Sequence, residues 1–259
     1  MVDPIWSSPT GPEDLKGFRL RGGPRGCLLV HGFAGTPPEM RELAEHLAGH
    51  GYDVMVPLLA GHGCTPEAMR ATRWRDWVAS AESALQTLRQ DCPRVFVGGQ
   101  SLGGSIALHL AATHPEVAGV VSLAAMGSRR FFRDPRLRLL PALKYIVRWQ
   151  VPDGTCDLGD PDRLLALHSY VRRPTVALES LMRFLGMVER ELPAIRTPAL
   201  VVHGRRDRTV PVENAPFIVD HLGSPDRTLV WLERSGHAVS VDLERADLNA
   251  LVLGWLEAH

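Results

Sequence analysis

Apolar positions follow two rhythms along the chain. Short continuous runs occur at Cys27-Leu28-Leu29-Val30, Tyr52 to Val56, Arg94 to Val97, Val117 to Leu123, Ala199 to Val202 and Thr228 to Leu232. Runs of this length bounded by Gly or Pro predict buried strands. Between them lie longer stretches with apolar residues at helical spacing: Pro37 to Gly49, Arg73 to Gln90, Leu102 to Thr113, Glu213 to Leu222 and Val241 to Glu257. In Arg73 to Gln90, Trp74, Trp77, Val78, Ala81, Leu85 and Leu88 share one face, expected to point into the core. Strands alternating with helices predict a parallel sheet covered on both faces. Arg19 to Arg21 is expected as an antiparallel edge. From Met126 to Pro193 the alternation stops. No convincing buried strand is legible there, and Pro135, Pro141, Pro152, Pro161 and Pro174 interrupt the helical pattern. The expected organisation is an α/β core over 13–125 and 194–259, with a helical cap, or lid, inserted over 126–193.

Composition narrows the function. With 259 residues, 45% apolar and 22% charged, the chain reads as one large globular domain. Lys+Arg and Asp+Glu are both 29, so a globally basic nucleic-acid binder is not expected. Of the basic residues only Lys16 and Lys144 are lysines, which reads as a bias of the source. Cys27, Cys64, Cys92 and Cys156 form no C-x-x-C pair and no cluster with histidines, so neither a disulfide framework nor a zinc site is expected. The start, Met1-Val2-Asp3-Pro4, lacks a basic and apolar leader, and the run Val117 to Ala125 is too short to span a bilayer. A cytoplasmic protein without stable membrane insertion is the expectation.

The candidate chemistry begins at Gly99-Gln100-Ser101-Leu102-Gly103, a G-x-S-x-G set between a strand and a helix. That strand–turn–helix setting forms a nucleophile elbow, in which Ser101 is held in a strained, exposed turn. In a bare glycine-rich turn the same serine would only cap the helix. A serine hydroxyl needs a base. His46, His50, His109, His114 and His221 sit on predicted helices or at their ends, His168 in the insertion and His259 at the terminus. His237, in Arg234-Ser235-Gly236-His237, follows the last strand on the same sheet edge as Ser101 and is the expected base. Asp207, in the loop after Ala199 to Val202, is the expected acid, with Asp242 and Glu233 as weaker alternatives. Pairing with Arg205, Arg206 and Arg208 is the competing reading of Asp207. The tetrahedral oxyanion needs two backbone donors; the N–H groups of Leu102 and of Phe33, in His31-Gly32-Phe33-Ala34-Gly35, are the candidates. His31 is expected to shape that loop.

Taken with Gly61-His62-Gly63 and Val210-Pro211, these segments resemble the α/β-hydrolase superfamily, specifically the bacterial carboxylesterase and monoacylglycerol lipase group. The resemblance runs from about Gly26 onward and is loose in the insertion. It implies an α/β-hydrolase fold: a mostly parallel twisted sheet flanked by helices, with a small helical cap over the serine. It also implies hydrolysis of short- to medium-chain esters or monoacylglycerols through an acyl-serine, with no metal and no cofactor. Gly61-His62-Gly63 would be structural. The partner would be a small ester or lipid-like substrate, and the protein a monomer or homodimer. Gly32, Phe33, Met126, Tyr145, Ile146, Met182, Leu185 and Val210 are the expected substrate contacts. Perhydrolase, C–C hydrolase and acyltransferase chemistry use the same machinery, and a ligand receptor can share the fold.

The zero net charge conceals one basic stretch. Arg129, Arg130, Arg133, Arg136, Arg138, Lys144 and Arg148 are opposed only by Asp134, a net of +6. Phe131, Phe132, Leu137, Leu139, Leu140, Leu143, Ile146, Val147 and Trp149 are interleaved with them and are expected to line an acyl pocket. An amphipathic face for lipid surfaces is one reading. Neutralisation by the following Asp153, Asp157, Asp160 and Asp162 is the favoured one.

Overall fold

A computed structural model describes residues 15–134, 136–151, 157–160, 169–170 and 172–259. Each apolar run becomes a strand of one seven-stranded sheet. The strands are β1 (Phe18–Leu20), β2 (Arg25–Val30), β3 (Tyr52–Val56), β4 (Arg94–Gln100), β5 (Gly119–Leu123), β8 (Ala199–Gly204) and β9 (Arg227–Leu232). Their spatial order is β1-β3-β2-β4-β5-β8-β9. All neighbours are parallel except β1, which pairs antiparallel with β3 through Arg19↔Met55. Leu28↔Val97, Val97↔Val120 and Val120↔Ala199 set the central register.

Side chains alternate across this sheet with the strand period of two. Leu28, Val30, Val97, Val120 and Val201 face a cluster built by the helices α3 (Trp74–Asp91), α4 (Leu102–Thr113), α6 (Thr175–Glu191) and α7 (Asn214–His221). Cys27, Leu29, Phe96, Val121 and Val202 face α1 (Arg41–Gly49) and α8 (Arg245–Ala258) on the other side. The chain leaves β2 outward to β3, then returns on β2's other flank as β4. The sequence order therefore reverses between β2 and β4, the switch point where open α/β sheets bind ligands at their carboxyl ends.

Several elements differ from expectation. Pro37–Met40 is a 3₁₀ turn that precedes α1. A short helix α2 (Pro66–Ala71) was not expected; Thr65 caps it by accepting the Ala68 N–H at 3.1 Å. The last helix starts at Arg245 rather than near Val241, because Asp242 spends its carboxylate on the backbone N–H groups of Gly236, Asp160 and Leu243.

Between β5 and β8 lie a 3₁₀ turn (Arg129–Phe131), α5 (Arg136–Leu143) and the two-residue ladder β6 (Trp149–Gln150) with β7 (Arg173–Pro174). Then comes α6, which lays Leu181, Phe184, Leu185 and Val188 into the main apolar cluster. Phe184 stacks on Trp74 at 5.5 Å, and the Trp74 N–H donates to Ser180 Oγ at 2.9 Å. The basic stretch meets carboxylates that were not expected. Arg130 pairs with Glu189, Lys144 with Glu179 and Arg133 with Glu213. Asp157 instead accepts the Arg208 backbone N–H, and Asp160 pairs with Arg245. Asp153, Asp162, Cys156 and His168 lie outside the described residues.

Candidate active site

The sharp turn after β4 places Ser101 at φ 56° and ψ −117°, a left-handed conformation that L residues rarely adopt. Close packing of α4 on the sheet enforces it. A Cβ at Gly103 would lie 1.9 Å from the Val30 carbonyl oxygen, so only glycine lets the helix start there. Leu102 follows at the positive end of a twelve-residue helix.

Two more strand ends converge on this turn. His237, in the loop after β9, has Nε2 at 3.0 Å from Ser101 Oγ, and its Nδ1 lies 2.8 Å from Asp207 Oδ2. Asp207, after β8, also accepts the N–H groups of Thr209 and Val210 at 2.8 Å, both on Oδ1. His203 Nε2 stands 3.0 Å from Oδ2, off the line of a hydrogen bond. Burial pushes the Asp207 carboxyl up, but the charge and hydrogen bond of His237, with His203 close beside it, outweigh this. The net result holds it well below the usual carboxylate range. Burial pulls His237 down, yet Asp207 reverses the sign, aided by Asp157 and Glu39, and its pKa is raised.

The alternative acids are committed elsewhere. Asp242 and Glu244 brace the His237 loop; Asp242 accepts the Gly236 N–H at 2.7 Å, and Glu244 accepts Ser235 Oγ–H at 2.7 Å. Glu233 is an exposed partner of Arg205, whose guanidinium lies 3.8 Å over the Trp231 ring. Gln100, beside the serine, receives the Ser240 N–H on Oε1 at 3.0 Å. The remaining helix-borne histidines are bound away from the site, such as His109 on Glu191 at 2.8 Å and His114 on Glu82 at 3.2 Å.

The loop after β2 forms a tight turn. The Gly35 N–H donates to the Gly32 carbonyl at 3.1 Å, and Ala34 takes φ 62°. His31 is buried, and its Nε2 accepts the Leu59 N–H at 3.1 Å. Its proton is therefore on Nδ1, which donates to the same Gly32 carbonyl at 3.0 Å. In a planar trans peptide the C=O and the following N–H point in opposite directions. Two donors on the Gly32 oxygen therefore fix the aim of the Phe33 N–H. Burial, then the charge of His62, lowers His31 to about 3, which keeps it neutral. His62 is similarly lowered to about 4 by burial and packs edge-on against Trp77 at 5.8 Å, between Gly61 and Gly63 with φ 76° and 67°.

Of the expected substrate contacts, Met126, Met182, Leu185 and Val210 are buried in the apolar cluster on which Phe33 packs. Tyr145 and Ile146 are not brought there. They follow α5 and are 80% and 82% exposed, and Leu139, on α5 itself, is 58% exposed. A Pro-broken apolar stretch does not reveal which residues face inward. Residues missed at the sequence level are Glu39, Asp157, His203 and Gln100; the contacts of Glu39, Asp157 and Gln100 depend on chain reversals that local spacing does not signal, whereas His203 lies only four residues before Asp207. Among the described residues, no group of three or more His, Cys, Asp or Glu is arranged to hold a metal ion.

Fold and site define the class: the protein is a hydrolase with the α/β-hydrolase fold. The chain belongs to the serine aminopeptidase S33 family, which matches residues 24–244. A thermostable monoacylglycerol lipase of Bacillus sp. (strain H-257) is 36% identical over 93% of this chain and 94% of its own length. A carboxylesterase of Bacillus subtilis (strain 168) is 28% identical over 93% of this chain and 96% of its own. A solved structure from work on LipS and LipT, two metagenome-derived lipolytic enzymes, superposes with a TM-score of 0.88 at 30% identity. It covers 95% of this chain and 98% of that one.

Proposed function

We propose that the protein hydrolyses carboxylic esters of short- to medium-chain acyl groups, monoacylglycerols among them, through an acyl-serine intermediate. The observation that carries this is the unbroken chain from Ser101 Oγ through His237 to Asp207, with contacts of 3.0 and 2.8 Å. Ser101 Oγ attacks the ester carbonyl while His237 Nε2 takes its proton, and Asp207 holds the imidazolium in the required orientation. The N–H groups of Phe33 and Leu102 receive the developing oxyanion. Collapse of the adduct expels the alcohol, which takes the proton from His237. Water, deprotonated by the same imidazole, attacks the acyl-serine carbonyl. A second collapse releases the carboxylic acid and returns the proton to Ser101. No metal or cofactor enters any step.

The acyl chain rests on Phe33 and Gly32, against Met126, Met182, Leu185 and Val210. The segment 126–193 supplies most of that wall and acts as the cap over the serine. The relatives named above support the ester class. Among the described residues no helix is long and apolar enough to cross a membrane, and we place the protein in the cytoplasm as a monomer or homodimer.

Wild type and Ser101→Ala are to be assayed on p-nitrophenyl esters of increasing acyl length and on monoacylglycerols. The wild type turns these over and Ser101→Ala loses at least about 10³-fold in kcat. Equal activity of the two proteins would overturn the mechanism. Turnover confined to C–C or acyl-transfer substrates would move the protein to those chemistries.

A further inference from the structure

One buried carboxylate beside the site has no part in the proposed reaction. Glu39 sits in the 3₁₀ turn before α1 and is 6% exposed. Its Oε1 accepts the N–H of Gly32, the residue that precedes Phe33 in the oxyanion loop. The loop is shaped around this carboxylate. A Cβ at Gly35 would lie 2.9 Å from both carboxylate oxygens. One at Gly32 would lie 3.3 Å from Oε1 and 3.5 Å from the Ser101 Cβ. The two missing side chains thus make the space that Glu39 fills, next to the serine.

The anchoring is complementary to that of His31. His31 and the Gly35 N–H hold the Gly32 carbonyl, while Glu39 holds the Gly32 N–H. Both peptide planes flanking Gly32 are then fixed, and with them the direction of the Phe33 N–H. The charge of Glu39 also acts on His237, and that of His237 on Glu39. The carboxylates that act on His237 are Asp207, Asp157 and Glu39; the charged group acting on Glu39 is His237. Burial raises the Glu39 carboxyl to about 7, against the pull of the Gly32 N–H and His237.

We propose that Glu39 is a positioning residue for the reaction, holding the oxyanion loop so that the Phe33 N–H meets the transition state, and supporting the imidazolium formed at His237. The inference rests on the assignment of Ser101 and Phe33 above. It accounts for an acidic side chain enclosed by a loop in which a Cβ at Gly35 would press on both carboxylate oxygens and one at Gly32 would crowd Oε1.

The test compares wild type, Glu39→Gln, Glu39→Ala and Gly35→Ala on p-nitrophenyl butyrate. Inhibition by an alkylboronic acid, whose tetrahedral serine adduct places an oxygen in the oxyanion site, is measured in parallel. Glu39→Ala should lower kcat by about 10- to 100-fold, less than deletion of a whole donor, with KM within about threefold. The boronate should weaken by a similar factor. Gly35→Ala should move in the same direction, because its methyl displaces the carboxylate. Glu39→Gln keeps an oxygen acceptor for the Gly32 N–H and should restore most of kcat. Having lost the charge, it should shift the acid limb of kcat/KM to lower pH. Wild-type kcat and boronate affinity in Glu39→Ala would overturn the proposal. So would a fall in kcat with unchanged boronate affinity, or an unmoved acid limb in Glu39→Gln. Any of these three results with an inactive Ser101→Ala leaves the esterase reading intact, whereas an active Ser101→Ala would remove that reading itself.

Discussion

In the proposed reaction three side chains from three strand ends act together: the proton passes between Ser101 and His237 while Asp207 holds the imidazolium, and the pKa shifts of Asp207 and His237 follow from their pairing. Asp207 is held low and His237 high because each stabilises the other's charged form. The base must be neutral to take the Ser101 proton. Activity is therefore lost as pH falls through a His237 pKa lying above the ordinary 6.5, and the acid limb of kcat/KM should have its midpoint above that value. Asp207→Asn keeps the shape but presents the imidazole in the wrong tautomer; kcat should fall by about 10³- to 10⁴-fold. Glu233→Gln, in an exposed pair, should change it by less than about twofold. Steady-state kinetics across pH check both statements, and comparable loss in the two variants would reassign the acid. Ser101, Asp207 and His237 were legible in the sequence because each follows an apolar run whose parallel neighbours end on the same edge. Glu39 was not legible, since only the reversal after Gly35 returns residue 39 to residue 32.

At the scale of elements, the close contact between α4 and β2 couples the fold to the site. Gly103 permits it, and its missing side chain faces backbone, which cannot swing aside as a flexible side chain can. Gly103→Ala should therefore push the helix off the strand, destabilising the protein by about 1–3 kcal/mol and misplacing Ser101. Urea unfolding and the residual esterase rate report the two effects; wild-type stability would contradict the packing argument. The strand order could be anticipated only as a class, because alternating runs imply a parallel sheet without saying which strand lies beside which. The first turn expected of α8 failed for a local reason. Val241 continues the apolar period, but the Asp242 side chain competes for backbone N–H groups and ends the loop in its own way.

For the whole molecule, the described residues include ion pairs struck between distant parts of the chain. The basic stretch is answered by Glu179, Glu189 and Glu213 across space, while Asp157 and Asp160 brace the loops of Asp207 and His237. Sequence proximity suggested Asp157 and Asp160 as the neutralising partners, together with Asp153 and Asp162, which lie outside the described residues, because charge counting along a chain carries no direction. The same global arrangement isolates one serine: among the described residues only Ser101 has a histidine nitrogen in hydrogen-bond contact with its hydroxyl. A fluorophosphonate reacts with such an activated hydroxyl, so the decisive measurement is mass spectrometry of the labelled, digested protein. One phosphonyl adduct on the Ser101 peptide, absent from Ser101→Ala and slowed at least about 10³-fold in His237→Ala, is the predicted result. An active enzyme labelled at another residue, or not labelled at all, would contradict the assignment of Ser101 as the nucleophile.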